Sequence, residues 1–349
     1  LKVQQCNETT AAGNTHSTPP RQDLENTDLT NLFTGVTIVH IENERTASLE
    51  VIKELEKDAA LVGPSATTSY QIAFSFTFPD GTNVDELPLT AQVFDAEGDA
   101  VGEEFNFEVE QQGWPFGATY YTRTQGLEAG QTIKLYGLPN GTTYTITETG
   151  QGDLPVGVTL KSITNADNFV DEGTDAEATG TVEATTAGAQ ADHVTVTNQY
   201  TAASTDLGDT QSQFKGKKTL DGREWVTGEQ IDFVLSTAVG DTVTPMPQDA
   251  TTVGEGDEAY LTSRVTRSGN GGFTFADITY DKAGTYTYTI TEDAASHRIA
   301  DGTEEQNAAI KAGMTYSSAK YEVTVVVTDV PDGQETGSGQ LHVASVTYR

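Results

Sequence analysis

Three polar residues fall at positions where a strand pattern places apolar side chains. Lys53 continues the inward face begun by Leu49 and Val51, because side chains on a strand alternate between its two faces. Glu148 and Asn198 close the alternating runs TYTITE and VTVTN in the same way. An ammonium, a carboxylate and a carboxamide are therefore predicted to share one apolar core.

These three groups are the reactants for an amide bond. Burial lowers the pKa of a lysine and raises the pKa of a glutamic acid, so a dry core favours a neutral amine beside a protonated acid. The Lys53 amine is then a nucleophile for the Asn198 carboxamide, with Glu148 bonded to the carboxamide oxygen and moving protons as ammonia leaves. Fixed proximity lowers the barrier. An ordinary buried ion pair, or a lysine that reaches solvent, stays open as the alternative.

The same arrangement occurs a second time. Lys218 lies in phase with Phe214 and Leu220 in FKGKKTLDGREW, and Glu292 ends the run GTYTYTITE. The order of a strand with an inward lysine, an aromatic strand and a hairpin ending in YTITE is thus repeated. Internal repetition of this kind indicates two related domains.

The chain of 349 residues has room for two or three domains. Abundant Thr and Val, with short alternating runs between Gly-, Asp- and Asn-rich turns, favour β-strands. We predict a linker plus a terminal strand of a preceding domain, or a donor strand, in 1–46. Two β-sandwiches follow at 47–200 and 214–349, the second lacking its last strand, with a linker at 201–213.

Composition excludes several functions. The net charge of −33 would repel phosphate backbones and anionic lipid headgroups, so nucleic acid is excluded as a partner. The single cysteine, Cys6, allows no intrachain disulfide, and no run of 18 apolar residues marks a membrane span. No motif calls for a cofactor. The five histidines lack metal-ligand spacing. The acidic stretch 167–177 lacks EF-hand spacing, so calcium binding stays open but has no support from a motif.

A family resemblance rests on three motifs in this order. V-x-K-x-L around Lys53, Y-T-I-T-E before Thr149 and V-T-V-T-N-x-Y around Asn198 resemble the isopeptide-linked domains of Gram-positive pilins and adhesins, the Cna B-type group. K-T-L-D-G-R-E-W and G-T-Y-T-Y-T-I-T-E in the second repeat resemble the pilin isopeptide-linkage domain. The resemblance covers roughly residues 47–349.

The resemblance implies an all-β fold of tandem immunoglobulin-like (Cna B-type) β-sandwiches arranged as a rod. It implies that Lys53 is the amine donor, Asn198 the acceptor and Glu148 the catalytic acid, with Lys218 and Glu292 in the equivalent roles. The expected function is a structural shaft of a surface pilus or adhesin, without substrate turnover. The expected location is the extracellular cell surface, in the cell wall or a pilus, and the expected partners are other pilin or adhesin subunits.

Two other classes of function are alternatives to a structural shaft. In a host-ligand or glycan-binding adhesin module, inserted loops at 87–120 would present the aromatic residues of GWPFGATYY, which are Trp114, Phe116, Tyr120 and Tyr121. The same aromatics could instead cover the end of the sandwich. A carbohydrate-active enzyme with two carboxylates is the third class, and only the abundance of acidic residues favours it.

The two ends of the chain suggest a further pairing. The run VTIVHIENE places Val39, Ile41 and Asn43 in the phase of an acceptor strand, whereas no such strand follows the second lysine. Two explanations remain open. The sequence is a piece of a longer tandem array, or the strand carrying Asn43 completes the second domain of a neighbouring molecule, head to tail.

Overall fold

The computed structural model of the protein describes residues 46–113, 119–165, 177–183, 192–208 and 214–349, together with two short paired strands near the N-terminus. The described part is mostly β-strand, and its one α-helix is α1 (Glu304–Lys311). The all-β prediction is confirmed. No helix among the described residues is long and apolar enough to cross a membrane.

The strands up to residue 200 supply two large sheets. In chain order these strands are β1 (Glu8–Thr9), β2 (Thr15–His16), β3 (Thr46–Glu56), β4 (Ser69–Thr77), β5 (Thr90–Phe94), β6 (Ala100–Asn106), β7 (Glu110–Gln112), β8 (Tyr120–Glu128), β9 (Thr132–Pro139), β10 (Thr143–Thr149), β11 (Val158–Asn165), β12 (Glu177–Thr181) and β13 (Asp192–Tyr200). One sheet has the order β12-β10-β4-β8-β7, and the other has the order β11-β13-β3-β9-β5-β6. These two sheets form the first sandwich, and β1 and β2 form a separate pair.

The core of the first sandwich lies between these two sheets. Burial alternates along β4, so that Phe74 and Phe76 point inward and are fully buried. Leu49 and Val51 of β3 meet them from the other sheet. Strand β3 is internal to its sheet, because it pairs antiparallel with β9 and parallel with β13. The inward-facing residues Leu49, Val51 and Lys53 of β3 are fully buried, because the other sheet covers them.

The remaining strands form the second sandwich. They are β14 (Thr205–Asp206), β15 (Lys215–Lys218), β16 (Glu229–Ser236), β17 (Thr251–Val253), β18 (Tyr260–Arg267), β19 (Gly271–Thr274), β20 (Thr279–Tyr280), β21 (Gly284–Ile299), β22 (Lys320–Thr328) and β23 (His342–Tyr348). A six-stranded sheet, β17-β18-β16-β21-β22-β23, packs against the two-stranded pairs β15-β19 and β14-β20. The buried aromatics of this core include Phe214, Phe233, Phe273, Tyr280 and Tyr288.

The structure differs from the sequence prediction between residues 87 and 120. This segment was expected to form inserted loops, yet β5, β6 and β7 extend both sheets of the first sandwich. The strands are short and carry many polar residues, but Ala91 and Phe107 are buried against the core. A tight turn at Asp95–Asp99, with Gly98 at φ 88°, joins β5 to β6.

The helix was also not predicted. Thr303 caps α1 by accepting a hydrogen bond from the backbone N–H of Gln306, whose side chain in turn accepts from the Thr303 backbone N–H. This capping box is readable in the sequence TEEQ. The helix buries only Ile310, so its apolar periodicity is weak.

The core contacts predict a large effect for Phe74→Ala. Its ring packs at 5.3 Å from Phe107 and 6.2 Å from Phe76, measured between ring centroids. Removing the ring should lower the free energy of unfolding by about 3–5 kcal/mol, measured by chemical denaturation. Val243→Ala, at a side chain that is 89% exposed, is the control and should change it by less than about 0.5 kcal/mol. An equal effect of the two substitutions would contradict the packing described here.

Candidate functional site

The three polar residues singled out in the sequence converge between the two sheets of the first sandwich. Lys53 pairs with Val196 in the parallel β3–β13 ladder, so Asn198 lies two residues further along on the same face. With strands about 4.8 Å apart and a rise of about 3.3 Å per residue, their Cα atoms are about 8 Å apart, a gap that a lysine side chain can span. Glu148 approaches from β10 in the opposite sheet. The exposed fractions are 0% for Lys53 and Asn198 and 5% for Glu148.

The hydrogen bonds within this cluster join the acid to the amide nitrogen. Asn198 Nδ2 donates to Glu148 Oε1 at 2.9 Å. The prediction from the sequence put the carboxamide oxygen at this contact, whereas the structure puts the amide nitrogen there, with a carboxyl oxygen as its acceptor. Lys53 Nζ donates to the main-chain oxygens of Glu54 and Val196, both at 3.1 Å. The Lys53 amine is thus held against strand β13, which carries Asn198.

Three buried polar atoms at this site make no hydrogen bond within the described part of the chain. They are Glu148 Oε2, Asn198 Oδ1 and Tyr70 Oη. Each unsatisfied buried group costs about 1–3 kcal/mol. Three such groups in one place lower the stability of the fold. Buried groups without hydrogen bonds are typical of functional sites.

Tyr70 is the member of the site that the sequence analysis missed. Lys53 Nζ lies 4.5 Å from the centroid of its ring, and only 1% of the residue is exposed. The ring closes the cluster on the side of β4. The alternation of β4 puts Tyr70 on the same buried face as Ile72 and Phe74, so its burial could be predicted from the sequence. Strand β4 also pairs with β10, which carries Glu148.

Burial shifts the pKa values in the direction that the sequence analysis expected. Desolvation lowers the pKa of Lys53 to about 8, although Glu148 and Glu54 oppose the shift. Desolvation raises the pKa of Glu148, against the opposing effects of Lys53 and the Asn198 hydrogen bond. Desolvation and the Glu148 charge both raise the pKa of Tyr70. The shifts of Lys53 and Glu148 both favour the uncharged forms, so the site holds more neutral amine and more protonated acid than exposed groups would have at the same pH.

The second repeat brings its lysine and acid together without a carboxamide. Lys218 Nζ lies 2.9 and 3.0 Å from the two carboxylate oxygens of Glu292. Glu148 contacts Asn198 in the first sandwich, whereas Glu292 pairs directly with its lysine. In the sheets that the structure describes, β15 lies in a two-stranded pair with β19, whereas β3 lies between two neighbours.

A cleft of about 620 Å³ opens beside this ion pair. Its lining comes from β15, from the middle of β21, from residues 315–321 and from Tyr348 of β23, together with the apolar rings of Phe233 and Phe273. The cleft lies along the strand that carries Lys218.

A buried charge cluster fixes one wall of the cleft. Glu229 is 1% exposed and accepts hydrogen bonds from Arg223, from the Val226 N–H and from His297. The other ring nitrogen of His297 bonds to the Tyr316 hydroxyl at 2.6 Å. Tyr316 belongs to the segment that lines the cleft. No local sequence pattern indicates this role of His297, because its partners Glu229 and Tyr316 are distant in sequence.

The remaining predicted residues are placed as follows. Asn43, Trp114 and Phe116 lie outside the described residues. Tyr120 and Tyr121 were expected on a loop, and that placement is wrong, since both begin β8 where they pair with β7. Tyr121 packs on a neighbouring aromatic ring, with centroids 5.2 Å apart, while Tyr120 is 40% exposed. A binding role for these aromatics stays a prediction. Within the described ranges, no cluster of His, Cys, Asp and Glu could hold a metal ion.

The Glu229 cluster predicts a pH effect on stability. Burial would raise the Glu229 pKa, but the hydrogen bonds from Arg223, Val226 and His297 outweigh it and lower the pKa from 4.5 to about 2. A carboxyl with a depressed folded pKa stabilises above its unfolded pKa, and this stabilisation is lost as pH falls from about 4.5 to 2. Glu229→Gln should therefore cost about 3 kcal/mol at pH 7 and flatten the acid-induced loss.

Thermal unfolding between pH 2 and 7 measures this effect. Glu224→Gln removes an equal charge from an exposed position nearby and is the matched control. It should leave the pH profile unchanged. A Glu229→Gln profile identical to that of the parent chain would show that the cluster does not stabilise the fold.

The fold and the site define a class of protein: tandem β-sandwiches, the first of which buries a lysine, a glutamate and an asparagine between its two sheets. Residues 214–349 match the family model FctA, described as a Spy0128-like isopeptide containing domain. The resemblance to isopeptide-containing pilin domains is confirmed for this part of the chain. A search of curated proteins finds no match.

Several solved structures show a similarity over less than half of this chain. The major pilin from Streptococcus pyogenes is 15% identical over 44% of this chain and 47% of its own, with a TM-score of 0.30. The pilus-presented adhesin Spy0125 (Cpa) is 17% identical over 44% of this chain and 26% of its own, at 0.26. A Mobiluncus mulieris adhesin with intramolecular disulfide, isopeptide and ester cross-links is 19% identical over 44% and 41%, at 0.21. TM-scores this low support no conclusion about this chain.

Proposed function

We propose that this chain is a load-bearing structural segment of a surface pilus or adhesin, stabilised by an amide bond that forms between Lys53 and Asn198. One observation carries the proposal. The amine, the acid and the carboxamide are buried together, and the acid and carboxamide hydrogen-bond to each other at 2.9 Å. A purely structural core would leave fewer polar atoms unsatisfied.

The reaction consumes one amine and one carboxamide and releases ammonia. The neutral Lys53 Nζ attacks Cγ of Asn198, and the C–N bond to Nδ2 breaks. Glu148, in its protonated form, gives its proton to the departing nitrogen, which it already contacts, and takes up the proton that the amine loses, so the acid is regenerated. Tyr70 and the sheets around it exclude water, so hydrolysis of the carboxamide does not compete. The chain reacts once and is not an enzyme in the turnover sense.

The bond would join the two strands at which the first sandwich is entered and left. Strand β3 begins the sandwich and β13 ends it, and the two lie side by side in parallel. A tension applied along the chain would pass from one strand to the other through the amide, and the rest of the sandwich would carry none of it. For a loop from Lys53 to Asn198, the chain-entropy model gives about 5 kcal/mol of stabilisation. Extracellular exposure would make such reinforcement useful without a disulfide.

Intact-protein mass spectrometry tests the bond directly. The parent chain should be lighter than its calculated mass by the mass of one ammonia, because amide formation expels one. Lys53→Met and Glu148→Ala should both restore the calculated mass, the first by removing the nucleophile and the second by removing the acid. Lys134→Met is the matched control, since that lysine is an outward residue paired with Glu50. A parent chain of full calculated mass would refute the proposal.

The pKa shifts predict the pH dependence of bond formation. With a Lys53 pKa of about 8, about one amine in ten is neutral at pH 7, far more than for an ordinary lysine. The rate should rise with pH towards 8 as Lys53 loses its proton, and the raised pKa of Glu148 keeps its acid form available to a higher pH than in an ordinary carboxyl group. Chain isolated unfolded from inclusion bodies can be refolded at each pH, with ammonia loss followed by mass. A rate that does not vary with pH would exclude this acid–base scheme.

For the second sandwich, we propose that the cleft beside Lys218 accepts an extended strand that supplies a carboxamide. The support is the repeated lysine and acid, their direct ion pair and the 620 Å³ cleft beside them. Two synthetic peptides separate the sources of such a strand. Residues 192–200 carry Asn198, and residues 36–44 carry Asn43.

If either peptide couples, its asparagine side chain should become bonded to Lys218 and one ammonia should be released. Glu292→Ala should abolish coupling. Coupling by the Asn43 peptide would favour head-to-tail assembly. Lys217→Met, at the neighbouring lysine, is the control and should couple normally. No adduct from either peptide would remove the proposal for this site while leaving the Lys53 bond untouched.

A further inference from the structure

The two sandwiches meet at a buried carboxylate that takes part in neither lysine cluster. Asp329, at the end of β22, is 0% exposed. Its Oδ1 accepts from the Val62 N–H at 2.9 Å, and its Oδ2 accepts from the Gly63 N–H and from the Tyr200 hydroxyl, each at 2.9 Å. All three donors belong to the first sandwich. One side chain of the second sandwich thus receives three hydrogen bonds from the first.

The donors lie just beyond the two strands that carry the reactive pair. Val62 and Gly63 follow β3, and Tyr200 is the last residue of β13, two residues after Asn198. Because β3 and β13 run parallel, both reach the contact with their C-terminal ends. Asp329 therefore holds both strand ends at once.

The segment after Tyr200 also lies on the second sandwich. Ala203 N–H donates to Gly339 O at 2.9 Å, and Leu341 N–H donates to Ala203 O at 2.8 Å. Strand β14 then pairs with β20, and Leu207 N–H donates to Ile278 O. Within residues 201–208, the described part of the predicted linker, the stretch from Ala203 to Leu207 is thus hydrogen-bonded to the second sandwich.

Glycine permits the close approach of the two sandwiches. A Cβ on Gly337 would collide with Asp329 Oδ2 and with the Tyr200 hydroxyl. A Cβ on Gly157, at φ 86°, would collide with the main-chain oxygen of Thr201. Gly337 N–H also donates to Gly63 O at 2.6 Å. The apolar core is continuous here, since the cluster that fills the second sandwich also includes Tyr200 and Tyr70 of the first.

We propose that Asp329 fixes the two sandwiches in a single relative orientation, so that they move as one rigid body. Domains joined by a small polar contact move relative to each other by default, but a buried carboxylate with three donors resists this. Separating the sandwiches would expose the charge and leave Val62, Gly63 and Tyr200 without their acceptor. The pKa of Asp329 supports this arrangement: burial would raise it, but the Val62, Gly63 and Tyr200 hydrogen bonds outweigh burial and hold it below its ordinary value.

Distances between spin labels on the full chain test the proposal. Cys6→Ser removes the native thiol, and Glu104→Cys on β6 with Glu255→Cys in the second sandwich places one label on each exposed surface. The parent chain should give one narrow distance distribution. Asp329→Asn presents an NH2 group to backbone donors, and Gly337→Ala forces the contact apart, so either change should widen the distribution about twofold or more.

A matched control, a milder variant and a second measurement make the result decisive. Asp332→Asn removes the same charge from an exposed position three residues away and should leave the distribution narrow. Tyr200→Phe removes only the hydroxyl, so it should fold and widen the distribution by a smaller amount. A narrow distribution in both Tyr200→Phe and Asp329→Asn, or a broad one in the parent chain, would overturn the proposal. The ammonia loss of the first sandwich is measured on the same samples, so failure of the cross-link is distinguished from failure of the rigid contact.

Discussion

The structure depends on one constraint: Lys53 has no route to water. Its strand is flanked by β9 and β13 in its own sheet and covered by Tyr70 from the other sheet, so the amine must find its partners inside the core. The Glu148 carboxyl and the Asn198 carboxamide are the groups that the fold brings to it. Desolvation then makes the amine more nucleophilic and the acid more fully protonated. Burial therefore both costs stability and creates the chemistry that can repay it through a covalent bond.

Comparison of the two repeats shows what the carboxamide contributes. Where Asn198 is present, the acid binds it and the lysine turns to main-chain oxygens. In the second sandwich, Lys218 and Glu292 form a close ion pair beside an open cleft. This ion pair places the amine against a carboxylate and not against a carboxamide carbon, so it lacks the arrangement that amide formation needs. Insertion of an acceptor strand would separate the pair, desolvate it and convert it to the arrangement seen in the first sandwich.

The contact between the sandwiches connects this chemistry to mechanics. Asp329 binds at the C-terminal ends of the same two strands that the Lys53–Asn198 amide would join. A load passing along β13 would therefore meet the second sandwich directly at Tyr200, and also through the hydrogen-bonded segment that follows it. The acidic surface adds nothing to this path. With a net charge of −33, it acts through repulsion of neighbouring anionic surfaces.

The sequence by itself determined the strands with clear alternation and the identity of the buried lysine, acid and amide, because a period of two fixes which face each residue occupies. It failed for β5, β6 and β7, whose few buried residues give too weak a pattern, and for α1, which packs by a single side chain. Only the tertiary structure decided that β3 and β13 are parallel neighbours, that Tyr70 covers the amine, and that His297 joins Glu229 to Tyr316. It alone placed Asp329 against residues more than a hundred positions away. Alternation specifies a face, whereas strand order and the contact between sandwiches depend on pairing between segments distant in sequence, which no local pattern encodes.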